Sequence, residues 1–200
     1  LSSYKKTRNG LLGKEYSSKL SAWLALGCIS ARTIYHEVKK YEKEVVKNDS
    51  TYWLIFELLW RDFFKYISLK HGDAIFQLGG ILQKEYTWTT EACLMERWIH
   101  GTTQEAFVNA NMLELKHTGW MSNRGRQNVA SYLAKTLQVD WRMGAAYFES
   151  QLIDYDVHSN YGNWMYVAGV GNDPRNRAFN VSLQAERYDP EQKFQERWLS

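Results

Sequence analysis

An all-α fold is predicted for this chain of 200 residues. Three observations point there. Apolar residues recur at intervals of three and four along most of the length. No stretch alternates apolar and polar residues, and no hairpin dipeptide lies between two such stretches. Prolines number only two, while Gly101, Gly119 and Asp140 fall between the periodic segments.

The elements follow in order. Ser17 and Ser18 precede Leu20, Trp23, Leu24, Gly27 and Cys28, which suits a helix behind a serine cap. Residues 34–46 read as a charged surface helix. Thr51 is placed as the cap of the next helix, which runs to Leu69 with Gly72 beyond it. Trp53, Leu54, Ile55, Phe56, Leu58, Leu59, Phe63, Phe64 and Ile67 make that helix apolar nearly all round, so it is expected to be central and buried. Further helices are expected over 91–99, 104–116, 124–137 and 141–153. Residues 154–174 hold three glycines and three asparagines and read as a structured loop whose aromatics need burial. One domain spanning 1–200 is expected.

Composition excludes several classes. Apolar residues at 44% and charged residues at 24% exclude a disordered chain. Two cysteines make neither a disulfide scaffold nor a four-cysteine zinc site. No apolar run reaches the roughly 18 residues of a membrane span. The start, LSSYKKTRNG, lacks the apolar segment of a secretory signal. An intracellular protein is expected, in the cytoplasm or, in a eukaryote, an organelle or the nucleus. The start also lacks an initiator Met, which suits a piece of a larger protein. Residues 1–50 hold 10 Lys/Arg against 5 Asp/Glu, a balance that suits either an anionic partner or a solvated surface.

Several residues carry candidate chemistry. Glu57 sits inside the most apolar helix, where a carboxylate needs a partner. Arg61, four residues on, offers an internal ion pair; the alternative is a carboxylate kept for a polar ligand. Asp154 and Asp156 suit a divalent metal, a ligand's N–H groups or an arginine. No histidine completes a transition-metal set, and no metal is expected. The stretch 123–127, NRGRQ, opens a helix and suits phosphates and base edges, or merely a cap with surface arginines. Gly169 and Gly171 fall short of a dinucleotide fingerprint.

Four segments together resemble the FAD-binding helical domain of the photolyase/cryptochrome family. They are YSSKLSAWLALG at 16–27, WLIFELLWRDFF at 53–64, TGWMSNRGRQNVASYL at 118–133 and VDWRMGAAYFESQLIDYDVHSNYGNW at 139–164. Within the family, MSNRGRQNVAS, YGNWMYVAGVGNDPR and YDP at 188–190 are most similar to the DASH cryptochromes. The resemblance spans nearly the whole chain, but the family's N-terminal α/β antenna domain is absent from it.

The resemblance implies light-driven repair of cyclobutane pyrimidine dimers, preferentially in single-stranded DNA, by electron transfer from excited reduced FAD. The alternative it implies is a blue-light photoreceptor or nucleic-acid-binding cryptochrome without significant repair. Tyr4 and Ser17, Ser18, Lys19, Leu20 and Ser21 match the segment that holds the FAD diphosphate. Arg126 and Asp154 match an ion pair beside the isoalloxazine, and Asp156 and Arg61 join the cofactor set. Asn160 matches the residue facing flavin N5. Trp164, Trp141 and Trp88 match an electron-transfer row. Trp23, Trp98, Trp120 and Trp198 are expected to be packing only. Glu57 and Asn123 match groups that contact the dimer and also count in the cofactor set, Asn123 through the adenine; Trp60 matches an aromatic on which the dimer packs, and Arg124 a backbone or lesion contact. Tyr166 and Gln127 stand where duplex-repairing relatives tend to have Trp and Met. Several positions depart from the family: Ala22 replaces the commoner Pro and Leu54 an aromatic, while Asn109 replaces an Asp and Leu113 an Arg, which bears on helix packing or the pocket wall. Implied partners are dimer-containing single-stranded DNA and the antenna domain of a parent chain, with a monomer otherwise and no membrane.

Overall fold

The computed structural model describes residues 1–173 and 178–200. Among these, eleven α-helices form and strands do not, apart from one isolated bridge. The helices are α1 (Tyr4–Thr7), α2 (Ser21–Ala25), α3 (Ala31–Glu44), α4 (Asp49–His71), α5 (Ala92–Ile99), α6 (Ala106–Thr118), α7 (Asn123–Ser131), α8 (Trp141–Gln151), α9 (Val157–Ala168), α10 (Val181–Tyr188) and α11 (Lys193–Leu199). α7 continues as one wider turn over Tyr132–Thr136.

Local chemistry sets the long helices. α4 starts at a reciprocal cap: the Asn48 side chain accepts from the N–H groups of Ser50 and Thr51, and the Thr51 hydroxyl accepts from the Asn48 N–H. Thr51 therefore stands three residues inside the helix rather than at its cap. Gly72, at φ +54°, ends it. Ser30, Ser122, Asp140, Asp156 and Asn180 cap α3, α7, α8, α9 and α10 with side-chain oxygens.

Three expectations fail here. Residues 157–168 form α9 rather than a loop. Its asparagines and glycine are poor helix formers, but Tyr161, Trp164, Met165 and Val167 bury one face, and burial overrides propensity. Pro174 and Arg175, which close the expected loop and the glycine-rich motif, lie outside the described residues. Ser17 and Ser18 do not cap α2; Leu20 stands at its start, and no side chain caps it. Finally, α4 is not buried all round. Leu54, Leu58 and Phe64 face inward, whereas Tyr52, Leu59, Phe63, Tyr66 and Leu69 are exposed. Apolar composition alone does not say which faces are covered.

Two hydrophobic cores result. The larger gathers α5 to α9 and α11 around Trp98, Phe107, Met112, Leu133, Trp141, Trp164 and Phe194. The smaller joins Ile34 and Val38 of α3 to Leu54 and Leu58 of α4. α4 also packs against α9 and thereby links the two. Contact with α9 requires a glycine: a Cβ on Gly162 would lie 2.2 Å from the Phe64 ring.

The departures from the family pattern are absorbed locally. Asn109 closes the turn before α6 through three hydrogen bonds with Thr103, at 2.6 to 2.9 Å. Leu113 packs beside Gly101.

Candidate functional site

A cavity of about 490 Å³ lies between the two cores, within the size range of small-molecule and cofactor sites. One wall comes from α4, one from α7, α9 and the loop before α9, and the third from residues 16–21.

The 16–21 segment is shaped for an anion. Lys19 sits at φ +56°, in the left-handed region, and the next residue returns to the right-handed helical region. That alternation turns successive N–H groups toward one point. Among the described residues, the backbone N–H groups of residues 17 to 21 meet no acceptor. The Lys19 ammonium lies 3.7 Å from the Tyr16 ring centroid and 4.5 Å from that of Trp120. The Trp120 indole N–H donates to the Tyr16 hydroxyl. Burial lowers the Lys19 pKa, opposed by the nearby Glu114 carboxylate.

The α7–α9 wall is polar and rigid. One Arg126 amino group donates to both Asp154 carboxylate oxygens at 2.9 Å, and the Arg126 Nε donates to the Met121 carbonyl. Asp154 is only 6% exposed. Asp156 caps α9 through the Ser159 N–H and stands 3.8 Å from Arg61. Each aspartate thus has its own arginine, and no metal-binding cluster forms among the described residues. Asn160 donates to the Ala145 carbonyl at 3.0 Å, which leaves its Oδ1 uncommitted at the cavity.

The α4 wall is aromatic. Trp60 packs edge-on against Phe56 and Phe63 and tilted against Phe64. Glu57 does not pair with Arg61, four residues on. Its carboxylate accepts from Arg8 at 2.8 Å, and Arg61 turns to Asp156 and the Leu24 carbonyl instead. Burial pushes the Glu57 pKa up, and Arg8 pulls it back. Arg8 also lies 5.7 Å from the Trp53 ring centroid.

Most sequence-predicted residues meet at this cavity. Tyr4, Ser17, Ser18, Lys19, Leu20, Ser21, Glu57, Trp60, Arg61, Asn123, Arg126, Gln127, Asp154, Asp156, Asn160, Trp164 and Tyr166 all line it. Arg124 does not. Its guanidinium donates to Gln127, Gln184 and Asn9 and covers the Tyr188 ring at 4.7 Å. Arg8, Trp53, Phe56 and Trp120 line the cavity without having been foreseen as site residues. Lysines and an arginine crowd the first eight residues, and that charge was the one available signal for Arg8.

Trp141 and Trp88 lie behind the cavity, in the main core. Trp164 is 2% exposed and Trp141 fully buried, while Trp88 is half-buried. Backbone bonds from Thr89 to Gln138 and from Asp140 to Thr89 pin the segment at Trp88 beside the start of α8. The Trp141 indole donates to the Leu78 carbonyl. Trp164 packs on Phe148 and Trp98. It also lies against Gly144, where a Cβ would sit 2.3 Å from the indole. Trp98 itself is fully buried, in keeping with a packing role, but Trp23 is 57% exposed.

This donor set fits FAD. It offers uncommitted N–H groups and the Lys19 ammonium for a diphosphate, a buried guanidinium–carboxylate pair for a polar ring edge, and aromatic walls for planar rings.

Comparison with known proteins agrees. A family model described as the FAD binding domain of DNA photolyase matches residues 53–200. Cryptochrome DASH from Synechocystis sp. is 58% identical over the entire chain, which covers 41% of that protein. The crystal structure of a Synechocystis cryptochrome superposes with a TM-score of 0.97 at 57% identity, covering 98% of this chain and 41% of that one. An archaeal photolyase from Sulfolobus tokodaii, solved with two FAD molecules, gives 0.82 at 33% identity, covering 98% of this chain and 43% of its own. The chain therefore spans about two fifths of the length of the relatives it matches.

Proposed function

Because the chain belongs to the photolyase/cryptochrome family and comprises its FAD-binding domain, we propose that it serves light-driven repair of cyclobutane pyrimidine dimers, preferentially in single-stranded DNA. One observation carries the reading: Glu57, Trp60 and Asn123 share the cavity whose other walls suit FAD. When bound, the flavin supplies the photoexcited electron. The residues do the rest. Residues 17–21 and Lys19 hold the diphosphate, and Arg126 with Asp154 fixes the polar edge of the ring. Asn160 presents its Oδ1 to the reactive side. Trp60 offers a face for an extruded base, worth roughly 1–3 kcal/mol per base stacked. Glu57 and Asn123 donate or accept hydrogen bonds where negative charge develops on the dimer. Trp164, Trp141 and Trp88 form the row that refills the flavin from the surface. Tyr166 and Gln127 make the mouth of the pocket smaller and more polar, which favours a dimer already unstacked in a single strand over one that must be pulled from a duplex.

Residues 1–200 act as one cofactor-binding unit in this reading. The partners are single-stranded DNA and an antenna domain. No described helix is long and apolar enough to cross a membrane.

A second reading has one observation in its favour. Glu57 is already committed to Arg8 at 2.8 Å. If that pair stays closed over DNA, the cavity serves blue-light sensing without repair. The discriminating experiment is illumination of a dimer-containing oligonucleotide with wild type and Glu57→Ala. Repair by wild type and its loss in a variant that keeps its flavin support the enzyme. Equal repair by both removes Glu57 from the chemistry.

A further inference from the structure

Glu114 of α6 lies behind the anion-binding end of the cavity. It is 7% exposed, and one of its carboxylate oxygens is buried without a hydrogen-bond partner. Among the described residues, no cation stands within ion-pair distance of it. The groups that face it come from three directions. Tyr16 and Lys19 approach from the segment before α2, Arg126 and the Ser122 N–H from α7, and Arg197 from α11; Asp154 acts on Lys19 in turn. The three cations favour its charged form, yet burial outweighs them and pushes the carboxyl up to about 7. Lys19 and Arg126 also line the cavity.

We infer that Glu114 is a positioning residue that couples occupation of the cavity's anion-binding end to proton uptake. The inference rests on the cofactor placement proposed above. With the cofactor placed as proposed, Lys19 serves two anions, the Glu114 carboxylate and the diphosphate, while Arg126 serves Glu114 and the polar ring edge. When the bound anion draws the field of Lys19, the carboxylate is left under-compensated in a buried place and takes a proton from solvent. The O–H bond formed by that proton is the one covalent change, and nothing is oxidised. By reciprocity, a protonated Glu114 leaves the wall one unit more positive and tightens anion binding.

The test is FAD affinity, read by flavin fluorescence, at about pH 6 and about pH 8 for wild type and Glu114→Gln. Wild type is expected to bind about tenfold more tightly at the lower pH. Glu114→Gln keeps shape and acceptor but not charge, so it is expected to bind equally at both values, with the wild type's low-pH affinity. A pH dependence that survives intact in the variant overturns the inference and leaves the cofactor placement standing. No FAD binding by wild type at either pH overturns both. Should the variant not fold, calorimetry of FAD binding to wild type near neutral pH, in two buffers of unlike ionisation enthalpy, decides. Uptake of a fraction of a proton supports the inference, and no exchange overturns it.

Discussion

The α7–α9 wall and the α4 wall face one cavity, but their polar groups are held differently. Arg126 and Asp154 form a two-point pair between elements of the main core, with Asp154 almost wholly shielded from water. Arg8 and Glu57 form a single contact between a four-residue helix and the half-open face of α4. The first pair is part of the core's packing, and breaking it strands a buried charge. The second is partly solvated, and water replaces much of what it supplies. In the proposed reading this is a division of labour: one wall holds a resident cofactor rigidly, and the other releases and regrips a substrate.

Breaking the rigid wall should have the largest effect. Arg126→Ala leaves Asp154 uncompensated and is expected to cost about 3–5 kcal/mol in denaturant unfolding. The purified variant should be colourless. A smaller effect is expected where the rigid wall meets the core. A methyl at Gly144 collides with Trp164 and Leu133, so Gly144→Ala should cost about 1–3 kcal/mol. It should also slow flavin photoreduction, because the indole nearest the cofactor is displaced. The open wall should respond least. Arg8→Gln is expected to change stability by less than about 1 kcal/mol. The sign with pH follows from Glu57, whose folded pKa is already raised by burial and loses its counter-charge in the variant. A raised acid pKa lowers stability as pH climbs from the ordinary carboxylate range through the folded value. The variant should therefore lose more than wild type on going from acid to neutral pH, as measured by thermal unfolding.

The same contrast separates what was legible in the sequence from what was not. The rigid wall was readable residue by residue, because the spacing of Arg126, Asp154, Asn160 and Trp164 travels with a long family pattern. The open wall was only half readable. Glu57 and Trp60 were expected, but Arg8 lies 49 positions before Glu57, and no local rule links them. The four-residue spacing that favoured Arg61 describes an isolated helix; here Asp156 and the Leu24 carbonyl compete for that guanidinium and win. α9 was hidden for a related reason. Its Asn and Gly content speaks for a loop in isolation, and only the core around Trp164 makes it a helix. Glu114 gave no sequence signal, since a glutamate on a helix is ordinarily exposed. Its burial depends on α7, α11 and the 16–21 segment closing over it.

In the proposed reading the two walls hold FAD between them with a tryptophan row behind. An absorption spectrum of the purified protein, taken before and after blue light in the presence of a thiol reductant, tests it most directly. The expected result is a yellow protein whose flavin absorption bleaches on illumination and loses that response when Trp141 is replaced by Phe. A folded protein that stays colourless when supplied with FAD would contradict it.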